Sequence, residues 1–176
     1  HETAPRYQRI HDGDPWELAQ ETLSRGEKVL WIVNTVDRAI SLYENGGKEL
    51  GAVCLHSHFR RTDRLNNHDK INKLFETPGP AFAITTQVAE MSLDLSADLL
   101  ITESAPIDAL IQRLGRLNRF LDKSIGRFLI LNPENPKPYK KEDLENSQQW
   151  LDSLPNTPLN QRMLLDAWQQ FPHKEG

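Results

Sequence analysis

Cysteine is nearly absent: Cys54 is the only one in 176 residues. No internal disulfide can form, and its place in the apolar run AVCL makes it a small core side chain and fits a reducing compartment. Long hydrophobic runs are missing too. No stretch reaches the roughly 18 apolar residues of a membrane span, and the opening HETAPRYQRIHDGDP is polar and turn-rich, unlike a signal peptide. The expectation is a cytoplasmic chain with no membrane partner. Positive charge is not in excess either: the net charge is -4 and the pI about 5.9, so bulk electrostatics do not hold nucleic acid and any such contact must be local. Neither a GxxxxGK(S/T) loop nor a GxGxxG turn after a strand occurs, so the main phosphate cradle of a nucleotide site is not supplied here. Metal-ligand sets are incomplete. His11-Asp12, His68-Asp69 and the His56/His58 pair are isolated, and we read them as surface or local polar contacts and assign no metal site. An initiating methionine is also lacking, which leads us to expect a processed or excised piece of a longer protein.

What is present is a regular alternation. Asp14-Pro15-Trp16-Glu17 is a helix-start pattern that opens PWELAQETLSR, closed by Gly26. The strand-like KVLWIVNTV, the helical DRAISLYENGG and a short strand AVCLHS follow. Residues 60–75 have the spacing of an amphipathic helix; AFAITT and DLLITES read as strands, PIDALIQRL as a helix, and RFLILN as a fifth strand. Apolar strands alternating with helices predict an α/β fold, an open parallel sheet flanked by helices on both faces. Beyond Asn132, PENPKPYKKEDL reads as a linker, and two short amphipathic helices around 142–151 and 160–171 as an extension. The expected division is therefore a main domain over 1–135 and a linker with helical extension over 136–176.

Open sheets of this type bind ligands beyond the carboxyl ends of their strands. That rule selects Asn34 and Thr35, His56 to His58, Thr85 to Gln87, and Glu103 with Ser104. A second candidate is IQRLGRLNRF, where Arg113, Arg116 and Arg119 recur every third residue around Gly115. A helix C-terminus favours each cation by about 0.3 to 1 kcal/mol. Mutual repulsion and a helical glycine, at about 1 kcal/mol, offset that gain. A polyanion changes the sum, because guanidinium forks bind phosphate oxygens bidentately.

Taken together, TTQVAEMSLDLSADLLITESAPIDALIQRLGRLNR resembles motifs V and VI of superfamily 2 helicases, and most closely those of the helicase-nuclease of type I CRISPR systems. Thr86, Gln87, Glu90, Ser92, Leu93 and Asp94 match that family's motif V; IVNTVDRAISLYE matches motif IV at Asn34 and Thr35; CLHSHFRRTDR matches the HS-x-F segment with Arg64. The match departs at His58, where many members have arginine, and at Met91, where a polar residue is common.

The resemblance implies a RecA-like fold and the second of two RecA-like motor domains, working on single-stranded DNA with a CRISPR surveillance complex and a nuclease domain as further partners. It implies that ATP and magnesium are held mainly by the first RecA-like domain, with Arg116 and Arg119 as arginine fingers and Gln112 and Asp94 beside the nucleotide. Thr35, Ser57, Arg60, Thr85 and Thr86 are implied DNA contacts, and Gln87, Glu90 and Arg113 structural couplers. The isolated chain is expected to be inactive. The rival readings are the motor domain of another superfamily 2 helicase and a non-catalytic protein-binding module.

Overall fold

The computed structural model describes residues 2–56, 61–87, 93–121 and 125–171. Six parallel strands form one sheet: β1 (Tyr7–Ile10), β2 (Lys28–Ile32), β3 (Val53–Leu55), β4 (Ala81–Thr85), β5 (Leu99–Glu103) and β6 (Gly126–Leu131), in the order β1-β6-β5-β2-β4-β3. The helices are α1 (Pro15–Ser24), α2 (Val36–Leu42), α3 (Arg61–Glu76), α4 (Ile107–Leu114), α5 (Lys141–Ser153) and α6 (Gln161–Trp168). A π-helical turn, Tyr43–Gly47, continues α2.

Start signals act as their chemistry predicts. The Asp14 carboxylate accepts from the Trp16 and Glu17 amides at 2.8 and 3.2 Å, with Pro15 opening α1. Thr35 Oγ1 accepts from the Arg38 amide at 3.3 Å and caps α2; Asn160 Oδ1 accepts from the Met163 amide at 2.8 Å and caps α6.

Successive strand residues point to opposite faces, and both faces are covered. Leu30, Ile32, Leu100 and Phe128 share one buried cluster with Ile71 and Phe75 of α3, Leu110 of α4 and Trp150 of α5. Their neighbours Val29, Trp31, Leu99 and Ile101 share a second cluster with Ala19 of α1 and Ala39 of α2, where the Trp16 and Trp31 ring centroids are 4.8 Å apart. Two-sided burial is the reason that these strands read as unbroken apolar runs. Trp150, Leu151, Leu159 and Leu164, from α5, α6 and the segment between them, belong to the same cluster as the sheet's first face, and Trp150 Nε1 donates to the Leu164 carbonyl at 3.2 Å.

β1 corrects the five-strand expectation. Its YQRI sequence has too few apolar residues to signal a strand, because it lies at the sheet's edge and buries only Tyr7 fully. The open edge is not left bare: the Arg6 and Tyr7 amides donate to the Leu159 carbonyl at 2.8 and 3.0 Å, and the Leu159 amide donates back to Tyr7 at 2.6 Å. No helix among the described residues is long and apolar enough to cross a membrane.

Candidate functional site

Helix α4 leaves the carboxyl end of β5 and runs back along the sheet. Pro106 in extended conformation begins it, Asp108 occupies the first turn and Arg113 the last, each favourable to the helix dipole. Ile107, Leu110 and Leu114 are its buried stripe. Gly115 then ends the helix, though not as a reversal point: its φ of -60° is right-handed and open to any residue. Glycine is suited there because a Cβ would sit 3.0 Å from the Gln112 carbonyl oxygen. The backbone reverses three residues later, at Asn118, whose φ of 46° lies in the left-handed region that asparagine tolerates.

The turn from Gly115 to Arg119 is fastened to the segment just before β5. The Ala97 amide donates to the Arg116 carbonyl at 2.7 Å, the Asn118 amide to Ala97 at 2.8 Å, and the Arg119 amide to Ser96 Oγ at 2.9 Å. Leu117 is buried against this segment.

These constraints divide the three arginines. Arg113 is fully buried; its Nη1 donates to Thr102 Oγ1 at 2.9 Å and to the Glu103 carbonyl at 3.1 Å, and Nη2 reaches the Tyr139 hydroxyl at 3.4 Å. Arg116 and Arg119 lie partly exposed on the turn. Burial, then the nearby Arg119 charge, lower the Arg116 pKa, and Asp94 partly counters them. Arg119 forms an ion pair with Asp94, whose side chain is 77% exposed. Such exposed pairs are worth about 0 to 1 kcal/mol, so Asp94 orients Arg119 without neutralising the site firmly. A third guanidinium, Arg6, lies close enough to Arg119 for its own pKa to be lowered, chiefly by burial and further by that charge. Arginine stays protonated despite such shifts, so Arg116 and Arg119 share the Asp94 carboxylate and Arg6 adds a third cation beside Arg119. Gln112 is exposed on α4.

All of this lies at the amino end of the sheet, because Ser96, Ala97 and Asp98 precede β5 and Asp98 accepts from the amide of Lys28, the first residue of β2. The residues selected by the strand-end rule lie at the opposite end, because α4 carries the arginines back past the length of β5, roughly 16 Å at about 3.3 Å per residue.

The carboxyl end holds a different cluster. Glu103, 6% exposed, accepts from the Asn34 amide at 2.6 Å and pairs with Arg38 at 2.7 Å. Asn34 Nδ2 donates to the Ser104 carbonyl at 2.8 Å, and Gln87 Nε2 donates to the Asn34 carbonyl at 2.6 Å. Asn34, just beyond β2, is thereby tied to Gln87 beyond β4 and to Glu103 and Ser104 at the end of β5. Thr35, beside it, caps α2. Thr85 and Thr86 are 0% and 2% exposed, so their hydroxyls are not on the surface as the strand-end reading had them; β4 is covered on both faces up to its last residue. Ser57, Arg60 and Glu90 lie outside the described residues. Sequence reasoning selected Asn34, Glu103 and Ser104 by position, but missed Arg6 and Ser96. An isolated arginine before a weak strand and a serine in a loop carry no local signal.

Among the described residues no group of three or more His, Cys, Asp and Glu is placed to hold a metal ion. His11 instead bonds Asn156 at 3.0 Å, and His56 is buried.

The family model described as CRISPR-associated nuclease/helicase Cas3, C-terminal, matches residues 25–122, more than half of the chain. The chain belongs to this family. A putative CRISPR-associated nuclease/helicase Cas3 from Myxococcus xanthus is 50% identical over 173 residues, covering 95% of this chain and 23% of that protein. The crystal structure of T. fusca Cas3-ADP superposes with a TM-score of 0.74 at 21% identity, over 97% of this chain and 24% of that one. A chain of the structure titled CRISPR RNA-guided surveillance complex, pre-nicking, superposes with a TM-score of 0.71 at 23% identity, over 94% of this chain and 25% of that one. The Cas3 C-terminal family thus shares the α/β RecA-like fold of this chain, which spans about a quarter of the length of these relatives.

Proposed function

We propose that this chain is the second RecA-like motor domain of an ATP-dependent single-stranded DNA translocase or helicase of type I CRISPR interference, and that Arg116 and Arg119 are its arginine fingers. The observation that carries the reading is the turn from Gly115 to Arg119, bonded to the segment before β5, with Arg116 and Arg119 beside Asp94 and Arg6 next to Arg119. A fixed backbone that aims guanidinium groups outward suits the terminal phosphoryl group of a triphosphate. ATP supplies that group. Charge developing on its oxygens in the transition state is stabilised by preorganised donors, a contribution of roughly three to five orders of magnitude in rate for an arginine finger.

The residues fit one side of a nucleotide site and not a whole one. The sequence has no phosphate cradle, and we assign magnesium no ligand in this chain, where no group of three or more His, Cys, Asp or Glu among the described residues is placed to hold a metal ion. ATP and magnesium are therefore held mainly by a first RecA-like domain, and the arginines act only when the two domains close. Asp94 holds Arg119 in place and Gln112 faces the nucleotide from α4. On this reading the purified chain by itself hydrolyses no ATP; magnesium-dependent turnover by the 176-residue polypeptide refutes that part.

Single-stranded DNA lies at the other end of the sheet. Thr35, Ser57 and Arg60 are the proposed phosphate contacts, with Thr85 and Thr86 buried at the end of β4; Gln87 and Glu90 are proposed to couple this end to the strands, as Arg113 couples α4 to β5. Contacts of this kind position a strand without reading its sequence. A nuclease domain and a CRISPR surveillance complex are the further proposed partners. Arg116→Ala in the full-length protein is expected to cut DNA-stimulated ATP turnover by orders of magnitude with the fold retained. Near-normal turnover overturns the assignment.

A further inference from the structure

Arg6 precedes β1 and lies outside residues 25–122, the segment that carries the family's motifs. Its guanidinium nevertheless reaches the arginine turn: Nε donates to the Leu117 carbonyl at 2.9 Å and Nη2 to the Gly115 carbonyl at 2.9 Å. Those carbonyls stand one residue before and one after Arg116. The contact is reciprocal, because Asn118 Nδ2 donates to the Arg6 carbonyl at 3.3 Å and the Gly126 amide donates to the same oxygen at 2.9 Å. Arg6 is itself fixed from behind, where its amide donates to Leu159 and its guanidinium stacks 4.9 Å from the Tyr7 ring centroid.

We infer that Arg6 is a positioning residue for the proposed Arg116 finger, a planar fork that locks the peptide units on both sides of Arg116. Two parallel N–H groups on one rigid plane define the separation and tilt of the two carbonyls they bind, which a point charge does not do. The cation is half-buried beside Arg119: burial and that charge disfavour it, and Tyr7 partly offsets them. What it supplies is geometry, and a finger misplaced by about 1 Å loses up to about a hundredfold in rate. The fork also links the turn to the start of the chain and, through Leu159, to the segment between α5 and α6.

The inference rests on the proposed role of Arg116, and the test separates the two. Arg6→Gln, Arg6→Lys, Arg116→Ala and the Arg6→Gln/Arg116→Ala pair are made in the full-length protein, and DNA-stimulated ATP turnover and ADP affinity are measured. Arg6→Gln is expected to lower kcat by about tenfold to a hundredfold, with KM for ATP and the affinity for ADP, which lacks the γ-phosphate, nearly unchanged. Arg6→Lys recovers part of the loss, since an ammonium can satisfy one carbonyl but not fix both. The double variant is no slower than Arg116→Ala alone, because both changes remove the same interaction. A kcat for Arg6→Gln within about twofold of the parent, or losses that multiply in the double variant, overturn the inference. If Arg6→Gln does not fold, Arg6→Lys is read against the same criteria. A collapse of turnover in Arg116→Ala with normal turnover in the Arg6 variants sinks the fork alone; normal turnover in Arg116→Ala sinks both.

Discussion

Replacing Arg113 isolates the structural half of the arginine motif from its proposed chemistry. The side chain is fully buried between β5, α4 and the segment leading to α5, where it donates to Thr102 Oγ1, the Glu103 carbonyl and the Tyr139 hydroxyl. Arg113→Met keeps most of the aliphatic stem and removes the fork. Glu103 retains one donor, since Thr102 Oγ1 bonds its carbonyl at 2.9 Å, so the loss centres on Thr102 and Tyr139. At about 1 to 3 kcal/mol for a buried polar group left unsatisfied, partly offset because a cation no longer has to be dehydrated, the net cost is about 1 to 2 kcal/mol. Arg113→Ala adds a cavity, and large-to-small core changes cost about 2 to 5 kcal/mol. A domain of this size shifts its Tm by about 2 to 4 °C per kcal/mol, so Ala should melt roughly 10 °C below the parent and Met only a few degrees below. Thermal melts of the purified chain measure these shifts, and urea denaturation the free energies behind them. A destabilisation by Arg113→Ala below about 0.5 kcal/mol, the level of an ordinary surface change, refutes the reasoning, as does a Met variant less stable than the Ala variant.

Gly126 faces the same turn, and a Cβ there would sit 2.7 Å from Leu117 Cγ and 2.9 Å from Asn118 Cβ. Gly126→Ala is expected to cost about 1 to 3 kcal/mol by overpacking and to slow ATP turnover by the full-length protein without altering any proposed phosphate contact; unchanged melting and turnover contradict this. Burial pushes the Cys54 thiol up to about 11. The unfolded thiol ionises near its ordinary value of 9, so between about pH 9 and 11 the native state holds the extra proton and stability falls as pH rises. Cys54→Ala should flatten that part of the alkaline decline, measured by urea midpoints across pH, and the native thiol should resist a disulfide reagent at pH 8 until urea is added. Glu103→Ala removes the acceptor of the Asn34 amide and the partner of Arg38, and is expected to cost about 2 to 3 kcal/mol; an unchanged urea midpoint counts against the tie between strand ends.

The two clusters face opposite ends of a parallel sheet, and β5 and α4 are the elements that join them. Glu103 closes β5 at the end tied to Asn34 and Gln87, and Ser96 and Ala97, just ahead of β5, hold the arginine turn at the other. Arg113 bonds the carboxyl end of β5 from the last turn of α4, directly before Arg116.

Local sequence determined much of this protein. Apolar runs of strand length, the Asp14 and Thr35 caps, Pro106 at the start of α4 and the spacing of the arginines are short-range signals, and each acts within a few residues of where it is read. The motif residues therefore announced the family and the parallel sheet. Only the tertiary structure decided which end of the sheet each motif serves, since that depends on a helix carrying Arg116 and Arg119 back along β5. It alone brought Arg6 to Gly115 and Leu117, more than a hundred residues away in sequence. It also recruited β1, whose four residues have no strand signal and form a strand because β6 on one side and Leu159 on the other satisfy their backbone. Charge and hydrogen-bond partners are chosen by position in space, and a chain records that choice only as residues that look unremarkable where they stand.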